Sequence, residues 1–97
     1  MQLQFVGKNI EVTPALKSHA TDKFNTLEKR FSPISHVNIV FYVENESQVV
    51  EATLHYNGLE IHATAKDNDM YRSIDLLVAK LLGQMTRHKE KVIDSHR

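Results

Sequence analysis

Lys80, Gln84, Arg87 and Lys91 recur at intervals of four, three and four residues, which on an α-helix sets them in one row. The stretch QMTRHKEK, residues 84–91, adds His88 and Lys89 against one acid, Glu90. A side-aligned row of ammonium and guanidinium groups suits a phosphate backbone, because charge can be neutralised there without any reading of bases. A second row, His19, Lys23 and Arg30, has similar helical spacing, with Lys29 pointing nearly straight out. Rows like these also serve simply to keep a helix face in water. Two features favour a polyanion partner: both rows fall on the same predicted layer, and the chain elsewhere is distinctly acidic.

Histidine offers a different chemistry. The strand registers derived below set His36 opposite His55, His55 opposite Glu60, and His62 diagonal to His55. Three imidazoles and a carboxylate within reach of one another can ligate zinc or a similar ion. They come from three strands with no tight loop to fix them and no evident outer ring of hydrogen bonds. They therefore read as exposed polar residues that take added metal adventitiously, and no cofactor is expected. Catalytic signatures are missing too: there is no glycine-rich phosphate loop, no nucleophile elbow and no HExxH. Tyr42 and Tyr71 could stack on bases, but tyrosine on a strand or near a helix start more often packs. An enzyme with a small-molecule substrate is not expected.

The totals bound the rest. Ninety-seven residues, 41% hydrophobic and 25% charged, suit one soluble globular domain over 1–97. No apolar run is long enough to span a membrane, and the N-terminus lacks a secretion signal. The absence of cysteine removes disulfide and thiolate chemistry and fits a reducing, cytoplasmic setting. The formal net charge of zero conceals sorting: residues 1–35 carry +2, residues 36–75 carry −5, and residues 76–97 carry +3.

The elements that must position these groups follow from periodicity. Leu3 and Phe5 alternate in a short first strand. Thr13-Pro14 signals a helix start, with a capping hydroxyl before a proline at the first helical position. Leu16, Ala20, Phe24, Leu27 and Phe31 then form one apolar stripe, and Ser32-Pro33 ends it. From His36 the period becomes two: Val37, Ile39, Phe41 and Val43, then Val50, Ala52, Leu54 and Tyr56, then Leu59, Ile61, Ala63 and Ala65. Turns at Asn45-Glu46 and at Asn57-Gly58 pair Phe41 with Val50 and Leu54 with Ile61, which puts all three apolar sets on one face. Asp67-Asn68-Asp69 caps a long helix with Met70, Ile74, Leu77, Leu81, Met85 and Val92 inward and Val78 and Leu82 at the edge. Gly83 interrupts that helix, either as a mild weak spot or where a partner comes close. The predicted fold is α+β, β-α-β-β-β-α: a four-stranded mixed sheet, two parallel helices on one face and the other sheet face open. A right-handed crossover leaves the first two strands parallel. The helix layer is the basic side, and the middle segment's acids lie mostly on the open face, its turns and the start of the second helix.

The stretches DNDMYRSIDLLVAKLLGQMTRHKEK (67–91) and TLHYNGLEIHATA (53–65), with MQLQFVGKNIEVTPAL at the start, resemble the ribosome hibernation-promoting factor family. The resemblance implies the same β-α-β-β-β-α order and binding to the small ribosomal subunit, in the channel that mRNA and tRNA use at the A and P sites. It implies translation inhibited by occupancy in stationary phase or stress. It marks Lys23, Lys29, Arg30, Lys80, Arg87, His88, Lys89 and Lys91 as contacts to ribosomal RNA. A chain ending at Arg97 resembles the short members, which act with a separate ribosome modulation factor to build inactive ribosome dimers. Two alternatives stay open: a ribosome-associated inhibitor that prevents pairing, and a generic structured-RNA-binding domain.

Overall fold

Strand β1 (Gln2–Gly7) leads into helix α1 (Pro14–Arg30), whose start Thr13 fixes: its Oγ1 accepts the Leu16 N–H at 3.2 Å, with proline at the first helical position. This computed structural model describes the backbone of residues 1–95 and the side chains of residues 1–88. Strands β2 (His36–Glu44), β3 (Ser47–Tyr56) and β4 (Leu59–Asp67) follow, then helix α2 (Met70–Ser95). At the start of α2 the Asp69 carboxylate accepts the Tyr71 N–H at 2.9 Å. Among the described residues no helix is long and apolar enough to cross a membrane.

The sheet order is β1-β2-β3-β4, with β1 parallel to β2 and the other pairs antiparallel. Both expected registers hold, Phe41 facing Val50 and Leu54 facing Ile61. Each hairpin is closed by two residues at positive φ, Asn45 (49°) with Glu46 (67°) and Asn57 (54°) with Gly58 (73°). This turn geometry matches the right-handed twist of paired strands.

The apolar stripes meet between sheet and helices. Phe24, Leu27, Ile39, Phe41, Leu54, Ile74, Leu77, Leu81 and Met85 are all buried. Each such side chain is worth about 1.5–3 kcal/mol of transfer free energy. Ile34, in the loop before β2, joins this core, and Ile10 and Val12 pack against it. Val43 and Leu59, expected on the buried face, are 46% and 43% exposed, because each sits at a strand end where the helix layer no longer covers it. The far face is not uniformly wet either: Val49 is 2% exposed, with Tyr42 and Lys66 as its cross-strand neighbours. Val92 lies outside the described side chains.

Candidate nucleic-acid interface

The helices lie side by side and run in the same direction. Near the start of α2, the His19 ring meets Tyr71 edge-on with centroids 5.3 Å apart. One turn on, Lys23 reaches Asp75, and further along Leu27 and Arg30 share a groove with Val78 and Leu82. The Asp75 carboxylate ties the two helices together through Oδ1, which accepts from His19 Nε2 at 2.8 Å and lies 3.6 Å from Lys23 Nζ. Partial burial would push its pKa up, but the His19 hydrogen bond and the Lys23 charge outweigh that and hold the carboxyl below its ordinary value. Asp75 is one of the acids expected at the start of the second helix. It stands between the two helix rows and engages Lys23.

The other predicted cations are distributed as follows. Lys29, Arg30, Lys80 and Arg87 are exposed, and His88 is half-buried. Among the described residues none of those four lysines and arginines has a carboxylate within ion-pair distance. Lys80, however, turns toward the sheet: its ammonium donates to the Thr64 carbonyl at 2.6 Å, and Gln84 Nε2 donates to the His62 carbonyl at 3.1 Å. Both carbonyls belong to β4, the last strand of the sheet. These two members of the predicted row thus also satisfy an otherwise open strand edge. An ammonium has three protons, so Lys80 keeps donors for a phosphate. The side chains of Lys89 and Lys91 lie outside the described residues.

On the open face, the structure pairs His55 with Glu60 across the strands, with Nε2 and Oε1 3.8 Å apart. His62 faces Thr53 instead, 2.8 Å from its hydroxyl, with Glu51 at 3.6 Å. His36 is exposed at the start of β2. Among the described residues no three histidines or carboxylates converge in a way that could hold a metal ion. The same face shows Lys8 over the Tyr42 ring at 5.7 Å, so Tyr42 is engaged there. A hydrogen bond to Glu51, with burial and the Glu51 and Glu44 charges adding, raises the Tyr42 pKa.

Two features escaped the sequence reading. The His19–Asp75–Lys23 bridge joins residues 56 positions apart, and no local spacing announces it. The Lys80 and Gln84 bonds to β4 had a partial signal, since an uncharged glutamine within a basic row suggests a neighbour other than solvent.

Residues 3–93 match the family described as sigma 54 modulation protein / S30EA ribosomal protein. The chain is 49% identical over 92 residues to the ribosome hibernation promoting factor of Klebsiella oxytoca, covering 95% of this chain and 97% of that one. A ribosomal subunit interface protein from Coxiella burnetii has the same fold, with a TM-score of 0.83, 31% identity, and coverage of 93% and 99% of the two chains. The N-terminal domain of Thermus thermophilus Protein Y, 23% identical, matches in fold with a TM-score of 0.81 over 91% of this chain and 99% of that one.

Proposed function

The chain belongs to the sigma 54 modulation protein / S30EA ribosomal protein family, and from that premise we propose that it is a ribosome hibernation factor acting by occupancy. It binds the small ribosomal subunit through its helix layer, as a single ribosome-binding domain over residues 1–97. It lies in the mRNA and tRNA channel near the A and P sites and excludes those ligands from it in stationary phase or stress. It works in the cytoplasm, where ribosomes are, and catalyses no reaction. With ribosome modulation factor it promotes inactive ribosome dimers, a direction supported by the relatives called ribosome hibernation promoting factor at 48–49% identity.

The observation that carries the RNA-facing part is the exposure of Lys29, Arg30, Lys80 and Arg87 on one layer with no carboxylate partner among the described residues. Cations held in solvent at a helix surface release counterions from RNA when they meet its phosphates. Sedimentation of purified protein with small subunits over a range of salt tests this. Co-sedimentation at low salt, with affinity falling linearly on a log–log plot, is expected. No co-sedimentation at low salt would contradict the reading. Equal affinity for a free RNA duplex would point to a general structured-RNA binder instead. Fewer ribosome dimers with the protein than without it would give the role of an inhibitor of pairing.

A further inference from the structure

We propose that the groove between α1 and α2 receives a single unstacked nucleobase of the bound RNA, one that carries an exocyclic amino group. The inference rests on the reading of the helix layer as an RNA surface. The groove has a volume of about 310 Å³, at the small end of ligand-sized clefts. Its floor is apolar: Leu27 from α1 faces Val78 and Leu82 from α2. Such a floor suits the face of a flat ring and offers nothing to a hydrated ion.

The rim has the charge a nucleotide needs. Lys23 and Arg30 stand two turns apart on α1, about 10 Å along its axis, and bracket the opening. Either can hold the phosphates flanking a splayed base. Asp75 lies in the same lining and is spoken for at one oxygen only: His19 and Lys23 both reach Oδ1. Among the described residues Oδ2 carries no hydrogen bond. A carboxylate oxygen anchored in this way accepts the amino protons of cytosine or adenine and repels the carbonyl that uracil presents at the equivalent position.

Single-stranded pentamers separate base from backbone, because oligo(C) and oligo(U) of equal length carry the same phosphates. The wild-type protein is expected to bind the cytosine pentamer about tenfold more tightly than the uracil pentamer, the size of one charge-assisted hydrogen bond. Ala79→Leu fills the groove from α2, at an exposed position and without change of charge. Thr26→Leu does so from α1, also at an exposed position. Each variant, with its fold checked by circular dichroism, is expected to lose the cytosine preference while keeping wild-type affinity for the uracil pentamer. Equal binding of the two pentamers by the wild type, or a preference that survives both variants, would overturn the proposal. Small-subunit co-sedimentation run in parallel keeps the two failures apart: retained there with no base preference, the groove alone is wrong; lost as well, the ribosomal reading goes with it.

Discussion

The Asp75 carboxylate joins α1 to α2 through His19 and Lys23, and its depressed pKa gives that bridge a pH dependence with a definite sign. The contribution is complete above the unfolded-state value near 3.8 and is lost as pH falls through the lower folded-state value. Asp75→Asn is expected to cost about 0.5 kcal/mol at neutral pH, as for other exposed pairs, with the gap to wild type closing in acid. Urea unfolding from pH 7 down to pH 3 reads both. Gly83 is the opposite case, a residue the fold does not require: an added Cβ would meet only the Arg87 guanidinium, at 3.8 Å. Gly83→Ala is therefore expected to stabilise α2 by about 1 kcal/mol, seen as a higher urea midpoint. A gain in stability accompanied by weaker ribosome binding would place a partner close against that turn.

At the scale of elements, the two hairpins share one backbone shape with different residues in it. Gly58 holds φ 73°, and a Cβ there would meet no atom within 4 Å, so its constraint is conformational and not steric. Gly58→Val is expected to cost about 1–2 kcal/mol, the penalty for a left-handed side-chain-bearing residue. Glu46 carries that penalty already at φ 67°, and Glu46→Gly is expected to return about 0.5 kcal/mol after glycine's extra chain entropy. Thermal or urea denaturation of both variants checks the pair. These registers were legible in the sequence because period-two alternation and the Asn57-Gly58 turn specify the same pairing independently. The Thr13 and Asp69 caps were legible for the same reason, since their partners lie two or three residues away. Contacts between distant elements were not. Neither the Asp75 bridge nor the reach of Lys80 and Gln84 over β4 follows from local spacing, because each depends on how a helix is rotated over its neighbour.

For the whole molecule, charge is divided between the layers. The sheet's far face carries Glu44, Glu51 and Glu60, while the helix layer holds Lys29, Arg30 and Arg87 without carboxylate partners among the described residues. Those three are the appropriate test residues, because Lys23 is shared with Asp75 and Lys80 also supports β4. The decisive measurement is the salt dependence of small-subunit binding by wild type and by Lys29→Glu/Arg30→Glu/Arg87→Glu. All three positions are exposed, so the fold is expected to survive, and near-wild-type thermal melting confirms it. The triple variant is expected to lose much of its affinity and to show a log–log salt slope shallower by about three, one for each phosphate contact removed. A folded triple variant that binds small subunits with wild-type affinity and an unchanged slope would contradict RNA binding through the helix layer.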